Sequence, residues 1–93
     1  MEYYTRTNTG KTKVKGRRIQ FKEYPELNLF YYQTKWCNYF ICELESGCSL
    51  ALGNQLKIAK ERAVENIKNR GMAEIKTGIK ESITQNGIAN VFV

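Results

Sequence analysis

The chain has 93 residues and a mass of 10.8 kDa, which allows one domain and excludes a second independent core. Fifteen basic residues against nine acids give a net charge of +6 and a pI of about 9.3. Histidine and aspartate are both absent, so a histidine general base, a Ser-His-Asp set and a histidine metal cluster are excluded.

With 42% hydrophobic and 26% charged residues, the balance is that of an ordinary globular domain. The stretch MEYYTRTNTG has an acid at position 2 and no apolar segment, so it does not read as a signal peptide. No apolar run reaches the roughly 18–20 residues of a membrane span, and no membrane association is expected. Three cysteines, Cys37, Cys42 and Cys48, are an odd count and read as reduced thiols in a cytoplasm. Lys, Asn, Ile and Tyr together make up 32 residues. AT-rich codons favour these types, which points to a low-GC bacterium or one of its phages.

The charge is unevenly distributed. Residues 1–18 carry Arg6, Lys11, Lys13, Lys15, Arg17 and Arg18 against Glu2, a net +5. Residues 19–53 carry two lysines against four glutamates, a net −2, and residues 54–93 seven bases against four acids, a net +3. Residues 5–16 are polar, with Gly10, Gly16 and one apolar anchor, Val14, and they dominate the stretch 1–16. That stretch reads as a mobile or loosely attached basic arm, although Thr12 and Val14 alternate with lysines as in a short strand over 11–15.

Eight of the eleven aromatics fall between Phe21 and Phe40, and the pattern there has a period of two. Three strands are expected: Arg17–Tyr24, broken by Pro25; Leu27–Thr34; and Trp36–Glu45. In the third, Trp36, Phe40, Cys42 and Leu44 share one face and Tyr39 and Ile41 the other. Ser46-Gly47 reads as a two-residue hairpin turn into a short fourth strand, Cys48–Leu52. That register sets Cys42 opposite Ala51 and Cys48 opposite Glu45, which disfavours a disulfide.

From Gly53 the period becomes helical. Asn54 is the expected N-cap. Leu56, Ala59, Ala63 and Ile67 form an apolar stripe, and Arg70-Gly71 forms a stop. A second stripe, Met72, Ile75, Ile79 and Ile83, runs to Asn86-Gly87, with Gly78 as an internal cost of about 1 kcal/mol. Ile88–Val93 is an apolar tail expected to pack as an extended segment or, if exposed, to support a homodimer. The fold class is α+β, a single domain. An antiparallel sheet of three or four strands (about 17–53) precedes two helices (about 55–70 and 73–86).

Candidate chemistry is sparse. Gly10-Lys11-Thr12 resembles the end of a phosphate-binding loop, but Thr5 stands where the loop needs Gly, and no Asp exists to hold magnesium. The cysteine spacings do not suit zinc, and without His only Lys or Glu remain to activate a thiol. No enzyme activity, metal or cofactor is expected. What remains is the pairing of cations with aromatics. A helix-free sheet face bearing Tyr24, Tyr32 and Tyr39 beside Arg18, Lys22 and Lys35 would stack bases or contact phosphates. The candidate nucleic-acid-binding residues are Arg6, Lys11, Lys13, Lys15, Arg17, Arg18, Lys22, Tyr32, Lys35 and Tyr39, with DNA or RNA as the partner. Removal of residues 1–16 is expected to weaken binding at least about tenfold.

From Lys35-Trp36 through Ser46-Gly47 and Leu52-Gly53 to Ala59 and Ala63, the order of elements resembles the three-stranded-sheet-plus-helix DNA-binding domains of phage integrase arm-binding regions and plant ethylene-response proteins. That resemblance covers about residues 18–67. It implies a sheet face entering the major groove, with Arg and Lys on the strands. Glu43, Glu45 and the second helix depart from it. In size and composition the chain also resembles small phage and mobile-element accessory proteins, including anti-CRISPR inhibitors. This resemblance implies a second function: inhibition of a host nuclease or its nucleic-acid-bound complex through a protein interface of apolar tail, aromatic edge and second helix.

Overall fold

In the computed structural model, which describes residues 1–7, 10–36 and 38–90, strand pairing begins at the N-terminus. Glu2–Thr7 forms β1 and Gly10–Phe21 forms β2. They are followed by β3 (Tyr24–Gln33), β4 (Tyr39–Glu43) and β5 (Ser49–Gly53). Helices α1 (Leu56–Arg70) and α2 (Met72–Asn86) complete the chain. The five strands form one antiparallel sheet in sequence order. The fold is α+β, with five strands where the sequence suggested three or four.

The extra strand comes from residues 1–16, which are sheet and not arm. Their alternation explains this: Tyr3 and Thr5 are buried while Glu2 and Tyr4 are exposed. On β2 the residues on the same face are the half-buried Val14, opposite Tyr3, and Thr12, opposite Thr5 and itself exposed. A run that is polar overall therefore has one face able to pack. β2 pairs with β1 along its first half and with β3 along its second. It changes partner at Gly16, which is buried and faces Tyr32.

The sheet has two covered faces. On one, α1 and α2 lay Ala59, Ala63, Ile67 and Ile75 over Phe21, Leu27, Leu29 and Ile41. The other face was expected to be open, but the β1–β2 hairpin folds across it. Tyr3 stacks on the fully buried Phe30 with ring centroids 4.6 Å apart. The rings continue through Tyr32 and Phe40 at 6.5 and 5.3 Å, and Cys42 and Leu44 complete this second core. Tyr24 and Tyr39 pack on the helix side and Tyr32 on the hairpin side. The three tyrosines thus do not share a face.

Local chemistry moves several boundaries. Thr34 Oγ1 accepts the N–H groups of Trp36 and Asn38, each at 3.3 Å, which turns the chain and delays β4 to Tyr39. Pro25 lies inside β3 without breaking it, because the turn falls earlier, between Phe21 and its partner Tyr24. The β4–β5 connection is longer than two residues. The buried Glu43 carboxylate accepts the N–H groups of Glu45 (2.9 Å) and Ser46 (2.7 Å), and Gly47 N–H donates to Glu43 O. The register shifts in consequence: Ile41 faces Ala51, and Cys42 faces Ser49. The α1 cap is Gln55, not Asn54, and its side chain makes no capping bond. Entry into α1 is fixed by packing instead, Gly53 lying close against Ala59.

Both sheet edges are protected. On β5, Arg62 Nη1 donates to Leu52 O (3.0 Å) and Asn66 Nδ2 to Leu50 O (2.8 Å). On β1, Arg6 N–H donates to Gly47 O at 2.8 Å. The Asn90 side chain accepts Tyr4 N–H (2.7 Å) and donates to Tyr4 O (2.9 Å) and Leu44 O (2.7 Å). Ala89 N–H donates to Glu45 O at 2.6 Å. The start of the expected apolar tail is therefore a bracket between β1 and the β4–β5 loop. Ile88 is half exposed and Ala89 buried, while 91–93 lie outside the described residues. Among the described residues, no helix is long and apolar enough to cross a membrane.

Burial pushes the Cys42 thiol up to about 11, a rise that the Thr5 hydroxyl beside it partly offsets. Tyr32 is raised by burial as well. The unfolded thiol releases its proton near pH 8.5–9 while the folded one keeps it, so stability is complete below that point and falls as pH rises toward 11. A Cys42→Ala variant is expected to be less stable at pH 7 but to lose less on going from pH 8 to pH 11, read by denaturant titration at each pH. An unchanged slope would mean that Cys42 contributes nothing to alkaline unfolding.

Candidate nucleic-acid interface

The alternation that puts Thr12 and the half-buried Val14 on the side of Tyr3 and Thr5 turns Lys11, Lys13 and Lys15 to the other, and Arg17 continues the same parity past Gly16. With about 6.7 Å between alternate residues, the row from Lys11 to Arg17 spans about 20 Å. Lys11 and Lys13 flank Tyr4 on the neighbouring strand, their Nζ atoms 5.2 and 5.6 Å from its ring centroid, within cation–π range. Glu2 sits opposite Lys15 in the register. Among the described residues, the ion pair within 4 Å is Arg70–Glu74, on the helices and away from this row.

At its Lys15–Arg17 end the row opens into a hollow of about 360 Å³, lined also by Met1, Gly16, Tyr31, Tyr32, Gln33 and Tyr39. No acid lines it. Tyr31 and Tyr39 lie 6.3 Å apart, tilted by 50°, and both are half-buried. They rest on the helix-side core, which fixes them, while their upper parts form the wall. Trp36 lies on the turn joining Gln33 to Tyr39. It is 76% exposed, and Lys35 Nζ stands 5.4 Å from its ring centroid.

The ten residues singled out from sequence divide accordingly. Lys11, Lys13, Lys15 and Arg17 share the outer face of β2. Tyr32 and Tyr39 meet the last two at the hollow, and Lys35 stands on the adjoining turn. Three residues diverge. Arg6 donates through Nη2 to Asn86 O (2.8 Å) and Gly87 O (2.7 Å), capping the C-terminal end of α2, where a cation suits the helix dipole. Arg18 projects from the opposite face of β2 and reaches Asn28 Oδ1 at 3.4 Å. Lys22 sits in the β2–β3 turn, six residues beyond Gly16.

Sequence reasoning missed Tyr4, Tyr31, Gln33 and Trp36. Tyr4 was legible in principle, since pairing residues 2–7 with 10–15 puts it between two lysines. Trp36 was assigned to a strand, which hid its exposure.

A second hollow, also of about 360 Å³, lies between α2 and the strands. It is walled by Leu27, Ile79 and Ile83, with Glu26, Glu45, Lys76 and Lys80 among its charged rim residues. No protein family model, curated protein or solved structure matches the chain.

Proposed function

We propose that the chain is a non-enzymatic binding module that contacts nucleic-acid backbone through the outer face of β2 and the adjoining hollow. The observation that carries this reading is the row Lys11, Lys13, Lys15 and Arg17 on one strand face, running into an acid-free hollow walled by three tyrosines. Charges of one sign on one face act together on a polyanion, and backbone contact needs no particular base. A phage or mobile-element origin in a bacterial cytoplasm fits the composition and the reduced Cys42 and Cys48.

The test is a salt titration of binding to labelled oligonucleotides. If Lys11, Lys13, Lys15, Arg17 and Lys35 each meet a phosphate, log K falls against log salt with a slope of about −3.5 on single strands and about −4.5 on duplex. Replacing Lys11, Lys13 and Lys15 with Gln is expected to make the slope shallower by about 2 to 3. These side chains are exposed, so the fold should tolerate the change. An unaltered slope would remove the row from the interface.

A second reading, an inhibitor that binds a host nuclease or its complex, has the groove between α2 and β3 on its side. Its apolar floor and mixed-charge rim suit a protein surface better than a polyanion. The triple-Gln variant separates the two readings. It keeps that groove intact, so inhibition of a nuclease by this surface would be undiminished while oligonucleotide binding would weaken and become less salt-dependent.

A further inference from the structure

We propose, resting on the nucleic-acid reading above, that the strand held here is single: an unpaired base lies against Tyr31 and Tyr39 in the hollow, its flanking phosphates meet Lys15 and Arg17, and further bases stack on Tyr4 and Trp36. Three observations carry this. The first is that the cations are interleaved with exposed rings. Tyr4 is 37% exposed between Lys11 and Lys13, and Trp36 is 76% exposed beside Lys35. A duplex presents phosphates but keeps its base faces stacked on one another, so it has nothing to offer these rings. A single strand offers both, and aromatic platforms beside a cationic track are the physical solution for it.

The second is the shape of the hollow. Its volume of about 360 Å³ lies at the small end of the roughly 300–1,000 Å³ range of ligand sites, room for one planar ring system but not for a paired one. Gln33 at its rim carries an amide, a donor and an acceptor for the edge of an unpaired base. The third is the length of the row. About 20 Å of cations on an extended strand matches a few nucleotides of extended backbone, in keeping with the roughly 4–16 nucleotides per small-barrel site.

The experiment uses the full chain and labelled oligothymidylate, oligouridylate and a mixed-sequence duplex, each about fifteen units long, at one fixed salt concentration. The expected result is that one or both single strands bind at least about tenfold tighter than the duplex, a margin that one stacked base can supply. The chain has one tryptophan, so its fluorescence reports on Trp36 alone and is expected to be quenched as the single strand binds. Tyr39→Leu and Trp36→Leu should each weaken single-strand binding several-fold and weaken duplex binding by less, with a thermal melt confirming that each variant is folded. Equal or tighter binding of the duplex overturns the single-strand assignment while leaving the nucleic-acid reading in place. Single-strand binding without quenching, or indifferent to both substitutions, overturns the placement of the bases. No binding to any of the three at low salt overturns the underlying reading itself.

Discussion

Gly16→Ala is expected to cost about 3 kcal/mol, at the upper end of overpacking penalties, and to lower Tm by roughly 12–24 °C in a chain of this size. A Cβ at position 16 would stand 2.5 Å from the Tyr31 carbonyl oxygen and 3.3 Å from the Tyr3 ring. The first of these neighbours is backbone and cannot rotate away. β2 would have to move off β3 where it exchanges one partner strand for the other. The loss should appear in a thermal melt and in faster amide exchange at Gly16 and its neighbours, since Gly16 N–H donates to Met1 O at 2.9 Å. Because Gly16 also lines the hollow, the same change should weaken oligonucleotide binding. Stability equal to that of the parent chain would mean that the close approach of β2 and β3 at this point is not needed.

The helices were legible because their signals are local. The stripe Ala59, Ala63, Ile67 needs only residues a turn apart, and all three are buried. The stop at Arg70-Gly71 rests on neighbouring residues, and Gly71 N–H does close on Ile67 O. The N-terminal hairpin was not legible, because its stability lies in distant partners. Nothing in residues 1–16 announces that Tyr3 will find Phe30, or that Thr5 Oγ1 will reach Gly47 O. Read alone, the stretch is polar and basic, and an arm is the natural conclusion. The same blindness affected the candidate site. Charge excess near the start of the chain was visible, but strand parity decides which cations converge, and parity needs the register. Lys11, Lys13, Lys15 and Arg17 fall together because they are odd-numbered on one strand, and Arg18 leaves them because it is even. Arg6 was lost for another reason: its partners, Asn86 and Gly87, are some eighty residues away.

The hairpin also changes how its role can be tested. Deleting residues 1–16 would remove β1 and half of β2 and expose Phe30, so weakened binding would reflect unfolding. Charge substitution on the outer face is the informative experiment, because it spares the inner one.

Asn90 is where the closure of the fold can be measured. Asn90→Ala removes one acceptor and two donor contacts. At about 0.5–1.5 kcal/mol net for each hydrogen bond, the expected loss is about 2–3 kcal/mol, or roughly 8–24 °C in Tm. Asn90→Asp should do no better. Its carboxylate keeps the acceptor for Tyr4 N–H, but it would set negative charge against the carbonyls of Tyr4 and Leu44, which the amide now serves. Equal stability of the Asp variant and the parent would show that the two donor bonds contribute nothing. Hydrogen exchange gives the local readout: Tyr4 and Arg6 amides, held by Asn90 and Gly47 respectively, should lose protection before amides at the β3–β4 pairing do. Gly47, at φ 72°, leaves no room for a Cβ against Tyr4 O and Ala89, so β1 meets the β4–β5 loop backbone to backbone and is held there by the bracket's hydrogen bonds. If the bracket opens, the hairpin would loosen as a unit. Its outer lysines would keep their charge and lose their fixed spacing, so oligonucleotide affinity should fall in the Ala variant even where its melt shows the chain still folded.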